Sequence, residues 1–230
     1  MPQVYPPELG VYDGPTGLLN MDAPPYPLPY EWGNAYYVFD YGPAKHIVLN
    51  AYSSMEPGSK QYVWLKSVLQ NVDREITPWV LVTIHVPIYN TFALHPHDLQ
   101  IVAAKNHLEP LLVEYSVNVV FSGHIHAYQR TANVALGELT ETGPLHITIG
   151  AGGRECDAPF KSEEPEYWVV KRDASFYGYG RFEIFNATHA EWKWIPLSPS
   201  DKHDYNQVKG EDIHLPQLDH DKHMVKNQYF

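Results

Sequence analysis

Apolar and polar positions alternate along most of the chain in patterns that predict strands and helices. Short β-branched or alternating runs predict strands at residues 35–41, 45–51, 145–149, 179–185 and 190–195. Apolar residues at helical spacing predict helices at residues 60–72 and 97–115. We expect Pro110 to kink the second helix, because proline lacks the N–H that a helix interior uses.

Two further runs are apolar along nearly their whole length. Residues 78–84 and 117–121 are rich in β-branched residues, which is typical of strands buried on both faces of a sheet. A predicted helix separates them along the chain. The pattern therefore predicts an α/β fold with these two strands inside its sheet.

The two ends of the chain differ in composition from this central region. Residues 1–33 are crowded with proline and glycine, which predicts an irregular leader. Residues 198–230 are polar and rich in histidine and aspartate, and we interpret them as a solvated tail. Residues 34–197 remain as the folded domain. The first residues lack the basic and apolar segments of a signal peptide, and no apolar run approaches the roughly 18 residues of a membrane span.

The net charge, the cysteine content and one glycosylation sequon give limited information about partners and cellular location. The formal net charge of −11 argues against nucleic acids and anionic membranes as partners. Cys156 is the single cysteine, so an intrachain disulfide is excluded. Asn186 begins an Asn-Ala-Thr sequon, which would be glycosylated if the chain entered a secretory route.

The strongest chemical signal lies where the two buried runs end. His85 follows the first run, and Gly123-His124-Ile125-His126 follows the second. Ligand sites in open α/β sheets collect at the carboxyl ends of strands. Neutral imidazoles bind zinc, iron, manganese and copper, so these three histidines predict a metal site. The simpler alternatives are a polar turn at a strand end and a histidine capped by a backbone carbonyl.

At these residues the chain resembles the purple acid phosphatases, which belong to the metallophosphoesterase superfamily. The resemblance rests on the order and spacing of several blocks: Tyr36-Tyr37-Val38-Phe39-Asp40-Tyr41-Gly42, Thr77-Pro78-Trp79, His85-Val86-Pro87-Ile88-Tyr89-Asn90, Gly123-His124-Ile125-His126-Ala127-Tyr128-Gln129-Arg130 and Tyr179-Gly180-Arg181-Phe182. It implies that residues 34–197 form the C-terminal half of a metallophosphoesterase β-sandwich with flanking helices.

The resemblance also implies roles for individual histidines in a binuclear metal centre. His85 and His124 would bind a divalent ion, which in the family is zinc, manganese or Fe(II). His126 would bind the second ion, Fe(III). His95 would contact the substrate phosphate and protonate the leaving group.

Two weaker substrate contacts complete the predicted site. His97 is a second candidate for a phosphate contact. Asn90 could orient the phosphate, although an asparagine at such a position as often closes a turn. The family further implies phosphate monoester substrates, a secreted or vacuolar location and a homodimer.

The chain also departs from the family pattern. It has none of the Gly-Asp, Gly-Asp-x-x-Tyr and Gly-Asn-His motifs that supply the family's acidic, tyrosine and asparagine ligands. Two metals about 3.5–4 Å apart repel each other and need anionic ligands, so three neutral histidines would hold one loosely bound ion. Two hypotheses stay open: an acid phosphatase whose N-terminal metal motifs are missing from this chain, and a catalytically silent protein that binds a metal or a partner. Under either one we expect little activity from this chain alone.

Overall fold

The computed structural model describes residues 35–95, 98–154, 156–199 and 221–229. In chain order the elements are β1 (Tyr37–Tyr41), β2 (Ala44–Leu49), α1 (Lys60–Gln70), β3 (Trp79–Ile84), α2 (Leu99–Ala103), a π-helical turn (Ala104–Leu108), α3 (Glu109–Glu114), β4 (Val119–Ser122), β5 (Tyr128–Ala135), β6 (Glu138–Leu139), β7 (Leu145–Ile149), β8 (Val169–Asp173), β9 (Phe176–Ile184), β10 (His189–Pro199) and β11 (Lys222–Lys226).

The larger sheet has eight strands and a parallel centre. Its order is β1-β2-β3-β4-β7-β5-β6, and β8 pairs with β5. The four strands β2, β3, β4 and β7 run parallel, whereas β1, β5, β6 and β8 are antiparallel to their partners. Because β3 and β4 are parallel neighbours, their carboxyl ends lie side by side at one edge of the sheet.

The second sheet contains three antiparallel strands in the order β11-β10-β9 and covers one face of the larger sheet. Consecutive residues of β3 show that both faces are buried. Leu81 shares an apolar cluster with Trp192 and Trp194 of β10. Val82 shares another cluster with Leu65 of α1. The predicted α/β class and the predicted burial of β3 are therefore confirmed.

The predicted helix at residues 97–115 extends from Leu99 to Glu114 in three parts. A π-helical turn at Ala104–Leu108 comes immediately before the segment that contains Pro110. Since Pro110 has no N–H and its ring crowds the carbonyl four residues earlier, a widened turn at this place accommodates it. No helix among the described residues is long and apolar enough to cross a lipid bilayer.

The prediction of a solvated tail over residues 198–230 is wrong for its last part. Lys222–Lys226 form β11, which pairs with β10 and buries Val225. The polar composition hid a short alternating strand of the kind that has only one buried face. The predicted leader at residues 1–33 lies outside the described residues. Strands β5, β6 and β8 also have no counterpart among the predicted elements.

Asp221 anchors the C-terminal strand to the larger sheet. Its carboxylate accepts hydrogen bonds from Arg130 Nε at 2.6 Å and Nη2 at 2.7 Å, and from the Tyr128 hydroxyl at 2.7 Å. The Arg130 and Asp221 side chains are only 3% and 10% exposed. Burial alone would raise the pKa of Asp221, but the hydrogen bonds from Arg130 and Tyr128 hold it below its ordinary value. Arg130 thus fixes a strand far along the chain as well as its own.

Replacing Asp221 by alanine should lower the free energy of unfolding by about 3–5 kcal/mol, because the buried guanidinium of Arg130 loses its counter-charge. Lys226→Ala, in the same strand, is a matched control. Lys226 lies at an exposed position of β11, so this change should cost less than about 1 kcal/mol. Urea unfolding followed by tryptophan fluorescence measures both, and equal losses would contradict the anchoring role.

Candidate metal centre

The ends of β3 and β4 are joined by a backbone hydrogen bond. His85 directly follows β3, and Gly123 directly follows β4. The Gly123 N–H donates to the His85 carbonyl at 3.0 Å. This bond continues the pairing of the two parallel strands and brings His124 opposite His85.

His85 and His124 form a pair that fits one divalent cation. His85 Nε2 lies 3.2 Å from His124 Nδ1. Two nitrogens that each bind a zinc ion at about 2.0–2.1 Å lie roughly 3 Å apart, so the spacing suits joint coordination. Burial is the main cause that lowers the pKa of His85, and the neighbouring histidines lower it further. Burial also lowers the pKa of His124, against the opposing effect of Asp98. Both shifts favour the neutral imidazole, which is the form that binds a metal ion.

A carboxylate that the sequence analysis did not single out lies beside this pair. Asp98 Oδ2 is 2.9 Å from His124 Nε2 and 3.1 Å from His95 Nδ1. The His95 and His124 rings are 4.3 Å apart between centroids. His95, Asp98 and His124 are the one group of three or more histidine, cysteine or acidic residues within the described ranges whose ligand atoms all lie close enough together to hold a metal ion. The structure thus brings His85, His95 and His124 together with Asp98 beside them, and their roles stay a prediction.

Two of these histidines have a strained backbone. His95 has φ of 55° and His124 has φ of 65°. Residues other than glycine rarely adopt this left-handed region, and such strain clusters at functional sites. The surrounding contacts must therefore hold both loops in place.

Gln129 supplies one of those contacts. Its side chain is buried, and its Oε1 accepts from the Thr91 N–H at 3.2 Å and the Thr91 hydroxyl at 2.5 Å. Its Nε2 donates to the Tyr89 carbonyl at 2.9 Å. Gln129 thereby ties the start of β5 to the loop that follows His85.

Gly150 lies against the loop that carries His124 and His126. It follows β7, and its N–H donates to the Ala127 carbonyl at 3.1 Å. A Cβ on Gly150 would lie 1.9 Å from the Ile125 carbonyl oxygen and 3.4 Å from the His126 Cα. Only glycine allows the backbone to approach the histidine loop this closely.

The third predicted metal ligand is His126. His126 is half-buried and lies near enough to His85 and His124 to lower the pKa of both. Among the described residues, no group of three or more histidine, cysteine or acidic side chains that could hold an ion includes His126. The arrangement therefore fits one ion between His85 and His124, and the described residues do not complete a second position.

The predicted substrate contacts have mixed outcomes. The Asn90 amide donates to the Leu94 carbonyl at 3.0 Å, and its oxygen accepts from the Phe92 N–H at 2.8 Å. These bonds favour the turn-closing alternative, and its role in substrate binding stays a prediction. His97 lies outside the described residues. Asn186 is exposed between β9 and β10, and its glycosylation stays a prediction.

Comparison with known proteins identifies the family of the chain. A family model of the calcineurin-like phosphoesterases matches residues 9–128, and one described as iron/zinc purple acid phosphatase-like protein C matches residues 143–205. The chain is 45% identical over 173 residues to Purple acid phosphatase 18 of Arabidopsis thaliana, covering 73% of this chain and 39% of that protein. It is 40% identical over 162 residues to Probable purple acid phosphatase 20 of the same plant, covering 70% and 38%. The chain thus spans about two fifths of the length of these relatives.

Two solved structures have a similar fold. The purple acid phosphatase PPD1 from yellow lupin seeds aligns with a TM-score of 0.64 and 21% identity, covering 70% of this chain and 30% of that chain. GAP50, the anchor in the inner membrane complex of Plasmodium, aligns with a TM-score of 0.53 and 18% identity, covering 84% and 53%. The chain belongs to the calcineurin-like phosphoesterases and, within that class, to the purple acid phosphatases. The predicted family and its mixed α/β fold are confirmed.

Replacing Gly150 by alanine should displace the loop that carries His124 and His126. The added methyl group overlaps the Ile125 carbonyl, and forced overpacking typically costs about 1–3 kcal/mol. We expect zinc affinity to fall by about 10- to 100-fold, as it does when a supporting contact of a metal ligand is lost. Isothermal titration with zinc and thermal unfolding measure the two effects.

Gly152→Ala is the matched control, because a Cβ at Gly152 meets nothing within 4 Å. It should leave both the zinc affinity and the melting temperature unchanged. Equal behaviour of the two variants would contradict the role of Gly150.

Proposed function

We propose that the protein works as a metal-dependent acid phosphatase on phosphate monoesters. The observation that supports this most directly is the convergence of His85, His124 and His95 at the carboxyl edge of β3 and β4, in a chain of the purple acid phosphatase family. Metals and substrates bind at such edges in open α/β sheets. The family implies a binuclear metal centre, and the proposal includes one.

In this proposal His85 and His124 hold a divalent ion, which is zinc, manganese or Fe(II), and His126 belongs to the position of Fe(III). Bound metal ions in such centres polarise phosphoryl oxygens as Lewis acids and stabilise in-line displacement. The ligands that the described residues lack would come from elsewhere in the complete protein.

His95 is the proposed proton donor to the leaving group. Its Nδ1 faces Asp98, which leaves Nε2 directed away from that carboxylate. Its side chain is 46% exposed, so a substrate can reach it. A protonated imidazole would pass its Nε2 proton to the leaving-group oxygen as the ester bond breaks.

A catalytically silent role, binding a metal or a partner chain, is the second candidate. It is favoured because, in the described part of the chain, the group of side chains that could hold a metal ion does not include His126. GAP50, whose fold aligns with 84% of this chain, is an anchor in the inner membrane complex of Plasmodium. We further propose a secreted or vacuolar location and a homodimer, both from the family.

The first experiment determines which class of phosphate ester the protein hydrolyses. The complete protein, with the missing ligands restored and loaded with Fe(III) and zinc, should hydrolyse p-nitrophenyl phosphate at acidic pH and leave bis(p-nitrophenyl) phosphate intact. Release of p-nitrophenolate measures both rates. A preparation that binds metal but cleaves neither ester would support the silent role, and preference for the diester would move the protein to another branch of the superfamily.

In the complete protein, asparagine substitutions separate the roles of the histidines, because asparagine tolerates the positive φ of His95 and His124. His124→Asn should lose both bound metal and turnover. His95→Asn should keep its metal and lose about 10²- to 10⁴-fold in turnover, the usual contribution of a proton donor. His189→Asn, at an exposed position, should change neither. Measuring the metal content of the three variants distinguishes a metal ligand from a proton donor. Loss of metal from His95→Asn would contradict the proposed role of His95.

A further inference from the structure

We infer that Asp98 is the positioning residue of the metal site: its carboxylate fixes the tautomer of His124 so that Nδ1 faces the ion shared with His85. This inference rests on the proposed metal-binding role of His85 and His124. It goes beyond that role because it assigns a function to Asp98, which is not one of the three predicted ligands.

The atoms that face each other determine the hydrogen positions. A carboxylate oxygen accepts hydrogen bonds and does not donate them. Asp98 Oδ2 lies 2.9 Å from His124 Nε2, so Nε2 must carry the proton. A neutral imidazole carries one proton, and Nδ1 is then left with its lone pair.

That lone pair is directed towards the proposed metal position. His124 Nδ1 is the atom that lies 3.2 Å from His85 Nε2. In metal sites a ligating histidine commonly donates its other N–H to a carboxylate, which orients the ring and makes the ligand more basic. The contact between Asp98 and His124 has this form.

The position of Asp98 on its helix agrees with the same role. Asp98 is the residue just before α2, where aspartate normally accepts a hydrogen bond from the first turn. Here its side chain makes no capping bond, and the carboxylate faces the two histidines instead. The helix therefore gives up a stabilising contact that aspartate at this position usually provides.

The same carboxylate oxygen links the metal ligand to the proposed proton donor. Asp98 Oδ2 is also 3.1 Å from His95 Nδ1, and the two histidine rings lie 4.3 Å apart between centroids. A single side chain thus sets the orientation of both rings. Loss of Asp98 should disturb metal binding and the placement of His95 together.

The first test measures zinc affinity in the absence of substrate. Asp98→Asn should bind zinc about 10- to 100-fold more weakly than the wild type, the usual cost of losing such a partner. Asp40→Asn removes the same charge from a 52% exposed side chain that pairs with Lys45 in the β1–β2 hairpin, and it should bind zinc like the wild type. Unchanged affinity in Asp98→Asn would overturn the inference.

The second test observes the tautomer in the wild type, so it does not depend on how any variant folds. Proton–nitrogen correlation spectra of histidine-labelled protein, assigned with His124→Asn, should show His124 with its proton on Nε2. Adding zinc should shift the Nδ1 signal of His124 and leave its Nε2 protonated. A shift at Nε2 would mean that Asp98 and His124 bind the ion directly on that side, which overturns the inference.

Two outcomes distinguish a failure of this inference from a failure of the proposed function. Zinc binding that depends on Asp98, together with failure of the complete, metal-loaded protein to hydrolyse p-nitrophenyl phosphate, would reject the phosphatase proposal alone. Hydrolysis by a protein whose zinc affinity is unchanged in Asp98→Asn would reject the role of Asp98 alone.

Discussion

The parallel pairing of β3 with β4 is the constraint on which the candidate site depends. In this register Leu81 lies opposite Val119 and Thr83 opposite Phe121, and the hydrogen bond from Gly123 to His85 extends the pairing past the strand ends. Two histidines 39 residues apart in the chain are thereby brought within 3.2 Å of each other. Apolar burial on both faces of the sheet stabilises this arrangement, so the polar site is carried by a rigid apolar support.

Strands β3 and β4 and the histidines that follow them could be predicted because their sequence signals are local. The runs that form β3 and β4 are apolar on both faces, and a strand that ends in histidine indicates a site without knowledge of its partners. Strand β5 gave no such signal, because Gln129, Arg130 and Thr131 are buried through hydrogen bonds to residues that are distant in the sequence. Strand β11 was hidden for a related reason, since charged residues flank its few buried positions.

Asp98 was overlooked because of a helix boundary. The pattern predicted a helix from about residue 97, which would have placed Asp98 in its first turn. The helix instead begins at Leu99, and Asp98 has an extended ψ of 127°. This small difference in boundary decides whether the carboxylate serves the helix or reaches the histidines. Periodicity locates helix ends only to within a few residues, so the sequence could not resolve it.

The contact between Arg130 and Asp221 has a consequence for synthesis of the chain. The two residues are 91 positions apart. At ribosomal rates Arg130 emerges roughly 5 to 20 seconds before its counter-charge. During that interval the guanidinium and the Tyr128 hydroxyl can be solvated only if their part of the sheet stays open. We therefore expect the sandwich to close only after Asp221 has emerged, which leaves the apolar surface around Trp192 and Trp194 exposed to other chains until then.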